Sequence, residues 1–131
     1  MKNVFLFMTD RLAVRQYRED DVERLFHYSQ QKSARELPNE VFEDLEEAGS
    51  YIEQAMLNYR VIHYPHRYAV VLKAENKMIG TLTFKRMQDL NIRVDILIGE
   101  EYQKKGYATE LAAASSEYAK QKLGLKELYA V

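Results

Sequence analysis

No cysteine occurs in the 131 residues, which excludes disulfide staples, thiolate nucleophiles and sulfur-ligated metals together and fits a reducing compartment. Tryptophan is absent as well, beside ten tyrosines. The two prolines, Pro38 and Pro65, fall between periodic stretches, where they mark a loop and a turn. No run approaches the ~18 consecutive apolar residues of a membrane-spanning helix. The first residues lack the basic-then-apolar order of a signal peptide, so the sequence reads as cytoplasmic with no membrane partner. Nor is there an excess of either charge: 19 basic residues stand against 20 acidic ones, and a net charge of −1 argues against nucleic acid as a partner. Internal repeats and low-complexity segments are also missing.

What is present suffices for a single domain over residues 1–131. The apolar fraction is 47%, and a chain of this length buries about two thirds of the surface it exposes unfolded. Alternation over 11–17, with Leu12 and Val14 against Ala13, Arg15 and Tyr17, predicts a first strand. "REDDVERLFHYSQQ" predicts a helix: Glu19, Asp20 and Asp21 suit its positive end, and Val22, Leu25, Phe26 and Ser29 recur at helical spacing. After a loop over 33–42, the stripe Leu45, Ala48, Ile52, Ala55, Met56 and Tyr59 marks a second helix, with Asp44 and Glu47 spaced as a capping box. Then the period changes. "RYAVVLKAEN", "KMIGTLTFKRM" and "NIRVDILIG" predict an antiparallel meander turning at Glu75-Asn76 and Gln88-Asp89. A third helix follows Gly106, with Ala108, Leu111, Ala112, Ser115, Ala119 and Leu123 on one face and Gly124 ending it, and "KELYAV" supplies a last strand. The expected fold class is α+β, an α/β sandwich whose mixed, mostly antiparallel sheet is flanked by helices.

In "IGEEYQKKGYATEL", residues 98–111, an apolar strand runs into two acids, two lysines and a glycine and then into an alanine-rich helix. The first N–H groups of that helix have no intrahelical acceptor and lie at its positive end, a place that attracts anions. Gly106 is free to take unusual dihedrals, Ala108 is small, and Lys104 and Lys105 neutralise charge, so the string reads as a cradle for phosphate or pyrophosphate. A glycine that only shapes a turn beside two solvated lysines accounts for the same string. Neither G-x-G-x-x-G nor G-x-x-x-x-G-K-[ST] is present, and the segment follows a meander strand, which sets aside Rossmann and P-loop sites.

"QKKGYA" after "DILIGEEY" resembles the acetyl-CoA signature Q/R-x-x-G-x-G/A of the GNAT superfamily of N-acetyltransferases, with Ala108 as its alanine option. "TDRLAVRQYREDDVERLF" is similar to the opening of the branch that includes the ribosomal-protein N-terminal acetyltransferases, where T-x-R-L-x-L-R precedes an acid-rich helix. Together the matches span nearly the whole chain in order. The resemblance implies that the main chain of Ile96, Leu97 and Ile98 pairs with the pantetheine arm of acetyl-CoA like an added strand. By the same carry-over Lys104, Lys105, Gly106, Tyr107, Ala108 and Thr109 cradle the pyrophosphate. It further implies acetyl transfer in a ternary complex, without metal or covalent enzyme intermediate, to a primary amine of a protein N-terminus or a small molecule. A backbone N–H where the strands splay would steady the oxyanion.

The sequence also departs from that pattern. Alignment through the motif puts Arg93 where the branch often carries a strand glutamate, and Asp95 where glycine is frequent. Alternation sets Arg93, Asp95 and Leu97 on one face, so Asp95 is the candidate catalytic base, acting directly or through water; an Arg93–Asp95 ion pair is the other reading. Family members continue with a helix and two more strands. The expectation is therefore a domain lacking the C-terminal helix and last strands, either a truncated chain or a homodimer that supplies the missing wall. A non-catalytic acyl-CoA-binding or structural relic is the alternative reading. His63 and His66, with no third ligand suggested nearby, are expected to cap a loop before a strand instead of holding a metal. Tyr59, Tyr68 and Tyr118 are expected as half-buried packing. Glu36, Glu43 and Glu46 read either as attractors of a cationic amine or as a solvated acidic face.

Overall fold

The computed structural model describes residues 3–32, 34, 41–62, 65–86 and 92–122, together with the backbone of 128–130. Four consecutive apolar residues, Phe5–Met8, form β1, an edge strand that alternation does not reveal because no polar residue interrupts the run. β2, Leu12–Arg15, folds back on it with Phe7 opposite Val14 and Met8 opposite Ala13. The strand expected over 11–17 thus ends at Arg15, where the chain leaves the sheet for a one-turn 3-10 segment, Glu19–Asp21. Only one of the three acids there departs from the expected role. Asp21 is 3% exposed and takes both guanidinium nitrogens of buried Arg15 at 2.8 Å. The bidentate geometry and a third bond from Arg18 N–H at 2.8 Å make that buried charge tolerable.

α1, Val22–Ser29, follows directly, burying Leu25 and Tyr28. α2, Leu45–Val61, starts as the sequence predicts, with the Asp44 side chain accepting from Glu47 N–H at 2.8 Å. The return bond of the box goes elsewhere: Glu47 accepts from Glu43 N–H at 3.3 Å. Ala48, Ile52 and Ala55 are buried, while Leu45, on the same face by helical angle, stays 48% exposed because that face is uncovered at the first turn.

β3 (Arg67–Leu72), β4 (Lys77–Arg86) and β5 (Ile92–Ile98) form the predicted meander. Its first turn carries Asn76 at φ 51°, a left-handed position asparagine tolerates, and the Gln88-Asp89 turn lies outside the described residues. α3, Tyr107–Lys122, and β6, Leu128–Ala130, complete the chain, and β6 joins β5 in parallel. The six strands stand in chain order, β1-β2-β3-β4-β5-β6, so the sheet is mixed and mostly antiparallel. On one face α1 and α2 pack over Tyr17, Leu25, Tyr28, Ile52 and Leu97; on the other α3 packs over Leu12, Val70, Leu82, Val94 and Leu111. α3 buries Leu111, Ser115 and Ala119, while Ala108, on the same face by helical angle, is exposed at the first turn; Leu123 and Gly124 lie outside the described residues. Among the described residues no helix is long and apolar enough to cross a membrane.

One glycine fixes how β5 lies on the sheet. Gly80 pairs with Ile98, and a Cβ built on it would fall 2.0 Å from the main-chain oxygen of Leu97. Gly49, inside α2, has only Val22 Cγ2 at 3.7 Å. We expect Gly80→Ala to lower stability by about 1–3 kcal/mol, because backbone must move to accept the methyl, a fall in melting temperature of roughly 4–12 °C. Gly49→Ala, a helix-interior glycine with room for a methyl, should instead gain about 0.5–1 kcal/mol, and paired thermal melts check both signs.

Candidate active site

β5 pairs with β4 along its whole length, but β6 pairs only with Ile92, Arg93 and Val94. From residue 95 to 98 the second edge of β5 has no strand beside it among the described residues, leaving main-chain donors and acceptors facing a gap. The strand then gives way to a 3-10 turn, Glu100–Tyr102, whose start is tied back by Gly99 N–H to the Ile79 carbonyl at 2.8 Å. Gln103 Nε2 donates to the Ile98 carbonyl at 2.8 Å, joining the turn to the strand end. Lys104 and Gly106 both take left-handed dihedrals, φ 63° and 84°. A lysine there is uncommon, and it swings the chain so that α3 starts beside the open edge.

The first intrahelical bond of α3 runs from Glu110 N–H to the Gly106 carbonyl at 3.0 Å. The N–H groups of Tyr107, Ala108 and Thr109 precede it and have no intrahelical acceptor. They border a cavity of about 330 Å³ lined by Ile98, Tyr102, Gln103, Lys104, Gly106, Tyr107, Ala108 and Thr109. The helix dipole, the lysine and the bare amides all favour an anion at this spot.

Two distant segments hold the turn. Glu110 in the first turn of α3 accepts from the Thr9 hydroxyl at 2.5 Å, from Arg11 N–H at 3.0 Å and from Arg11 Nε at 2.7 Å. Arg11 also donates through Nη1 to the Lys105 carbonyl at 2.9 Å and lies over the Tyr107 ring, 4.4 Å from its centroid. The Thr9 hydroxyl first, and then the Arg11 main chain and guanidinium, hold the Glu110 carboxyl down at about 2 against a desolvation that works the other way. From the other side the residues just past α1 grip the turn: Glu100 N–H donates to Gln31 Oε1 at 2.7 Å and Glu100 Oε1 accepts from Lys32 N–H at 3.1 Å. Buried Tyr28 fills the space next to Gly99, where a Cβ would come within 2.4 Å of its ring.

Of the residues named from the sequence, Ile98, Lys104, Gly106, Tyr107, Ala108 and Thr109 line the cavity, and Ile96 and Leu97 lie along the open edge. Lys105 does not line it; its carbonyl is engaged by Arg11. Asp95 sits where the strands part and is 1% exposed, with Lys85 Nζ 2.7 Å from Oδ2 and Arg93 Nε 2.9 Å from Oδ1. The Arg93–Asp95 pair therefore exists, with the carboxylate buried and the guanidinium partly exposed, and Lys85, which the sequence did not suggest, joins it. His66 stacks with Tyr59 and Tyr68 at 4.7 and 5.7 Å, its carbonyl accepts from Phe84 N–H, and burial pushes its imidazole pKa down. His63 and Glu36 lie outside the described residues, and Glu43 and Glu46 are exposed. Gln103, the first residue of the "QKKGYA" motif, also lines the cavity; Tyr102 as lining, and Thr9, Arg11 and Glu110 as a brace, are not indicated by any local pattern. A larger cavity of about 920 Å³ opens between β1–β2 and α2, lined among others by Val4, Tyr17, Arg18, Glu53 and Arg60. It lies away from the strand-to-helix turn, and its basic and acidic residues balance, so the smaller cavity is the better anion site.

Residues 11–131 match the model of the acetyltransferase (GNAT) domain, and the chain belongs to that family, the acetyltransferases that use acetyl-CoA. It is 27% identical over 124 residues, 93% of this chain and 69% of its relative, to YnaD, an uncharacterized N-acetyltransferase of Bacillus subtilis (strain 168). A GNAT-family acetyltransferase from Bacillus anthracis superposes with a TM-score of 0.78 at 22% identity, covering 98% of this chain and 72% of that one. RimL, an alpha-N-protein acetyltransferase acting on a ribosomal protein, in complex with coenzyme A, superposes at 0.68 with 20% identity over 90% of this chain and 69% of its own. The bare amides of 107–109, the left-handed Gly106 and the open β5 edge fit the two ends of that cofactor, pyrophosphate and amide-rich arm.

Glu110 sets an acid sensitivity. Its folded pKa lies below the unfolded value of 4.5, so its stabilisation is complete above that value and is lost as pH falls from 4.5 toward about 2. Melting temperatures from pH 6 to pH 2 should fall more steeply in the wild type than in Glu110→Gln, with the variant the less stable at pH 6; parallel curves would remove Glu110 from this role.

Proposed function

We propose that this chain transfers the acetyl group of acetyl-CoA to a primary amine, of a protein N-terminus or a small molecule. The observation that carries the reading is the adjacency of an unpaired strand edge, 95–98, to a left-handed turn and bare helix start, 104–109. In it the pyrophosphate rests on the N–H groups of Tyr107, Ala108 and Thr109 with Lys104 at the rim and Lys105 behind, and the pantetheine arm hydrogen-bonds the main chain of Ile96, Leu97 and Ile98. Bound acetyl-CoA supplies an acetyl thioester already activated for attack by an amine. The protein's part is to hold that thioester at the parting of the strands, direct an N–H at its oxygen and exclude water. We also place the protein in the cytoplasm, which the lack of cysteine supports, and as a homodimer, for which the exposed β1 edge with Phe5 and Met8 offers a pairing surface.

Asp95 enters this reading as a holder of cations. Both its oxygens face Lys85 or Arg93, and taking a proton from an amine would require one of these to withdraw. That same arrangement favours the second reading, a domain that binds acyl-CoA without turning it over. A melt with coenzyme A, acetyl-CoA and ATP followed by thiol release on adding amine separates the two: both predict a rise with coenzyme A exceeding that with ATP, and only transfer predicts free thiol. Asp95→Asn should lower the melting temperature and reduce kcat/KM less than tenfold, whereas a general base would cost about 10²–10⁴-fold.

A further inference from the structure

Among the described residues, the face of β5 that looks toward α1 and α2 carries more positive charge than its one acid balances. Lys85 and Arg93 are cross-strand partners, and both turn onto Asp95, so two cations share a single carboxylate. Arg67 adds a third cation further along the same face: it stands opposite Thr83, which stands opposite Asp95, and its guanidinium lies over the Tyr51 ring, 4.6 Å from the centroid. The ion pairs are not sealed in. The Lys85 and Arg93 side chains are 23% and 35% exposed while the carboxylate between them is 1% exposed. Arg93 directs Nε and Nη2 at Asp95, which does not use all the N–H donors of a guanidinium, and the side chain is partly exposed. Arg93 lies three residues before Ile96, about 10 Å along the strand, so this side chain is close to where β5 and β6 part.

We propose that Lys85 and Arg93 recognise a carboxylate on the acetyl acceptor, so that the amine substrate is itself acidic, with its carboxylate several bonds from the amine. The proposal rests on the acetyl-transfer reading above. Asp95 acts here as a positioning residue, fixing the guanidinium so that an outer donor remains for a second carboxylate. The chemistry is the same whether the acceptor is a small amino acid or a peptide with an acidic side chain near its N-terminus, and the test carries an arm for each.

Thiol release from acetyl-CoA is measured with acceptor pairs that differ only in charge: a peptide with glutamate at its second position against the same peptide with glutamine, and γ-aminobutyrate against its amide. The wild type should prefer the acid of at least one pair by roughly tenfold in kcat/KM, the worth of one charge-assisted contact, and the preference should shrink as salt is raised. The pair that shows it names the source. In Arg93→Gln the acid-to-amide ratio should drop toward one. Where that variant does not melt cooperatively, Lys85→Gln, which leaves the Arg93–Asp95 pair in place, gives the same reading. Equal rates for acid and amide in the wild type, or a variant that slows both alike, overturn the proposal. Should no amine release thiol although coenzyme A still raises the melting temperature, acetyl transfer is what has failed. The patch is then read by binding: glutarate should raise the melting temperature of the coenzyme A-loaded wild type and not of Arg93→Gln, and equal shifts in both overturn it.

Discussion

Glu110 is the joint on which the strand-to-helix turn depends. An α-helix beginning at a left-handed glycine could leave the sheet in many directions, because that residue permits dihedrals that other residues avoid. Three donors from the β1–β2 connection fasten one carboxylate of α3, and the same Arg11 reaches back to the Lys105 carbonyl. With Gln31 and Lys32, just past the end of α1, holding Glu100 from the opposite side, the turn is clamped between two separate segments of the first part of the chain. Charge-assisted bonds of this kind are among the stronger polar contacts available to a partly exposed site. Their effect is to aim the bare amides of α3 at one place.

The second constraint is the parting of β5 from β6. Parallel pairing over Ile92–Val94 brings the two strands together, and beyond it the edge of β5 stays open. Gly80 lets β4 and β5 approach closely at the level of Leu97 and Ile98, so the strand that bears the open edge is anchored on its other side. In the proposed reading an extended, amide-rich ligand arm and a pyrophosphate meet surfaces that are built almost wholly from main chain. Such a site depends on dihedrals and register more than on side-chain identity, which is why relatives near 20% identity keep the architecture.

The meander and the second helix were legible because their patterns are local: β-branched and aromatic runs such as "RYAVVL" and "NIRVDILI" separated by turn residues, and the Asp44–Glu47 spacing. The anion cradle was legible for the same reason, since glycine, lysine and helix start fall within a dozen residues. β1 lies in a short apolar run, Val4–Met8, that shows no alternation. The brace between Thr9, Arg11 and Glu110 joins residues about a hundred positions apart, and no local pattern announces such a contact. Lys85 could be placed beside Asp95 only once the register setting Lys85 opposite Arg93 and Thr83 opposite Asp95 was known. What the sequence offered as a two-residue choice, base or ion pair, became a three-residue cluster through that register.

In the proposed function, unpaired amides at the start of α3 and along the end of β5 hold the two ends of one cofactor. Backbone 15N–1H spectra of the protein titrated with coenzyme A, and separately with pantetheine, test it most directly. Coenzyme A should move the amide signals of Tyr107, Ala108 and Thr109 together with those of Ile96, Leu97 and Ile98, while pantetheine should move only the strand set. Signals at 107–109 that stay in place at saturating coenzyme A would contradict this reading.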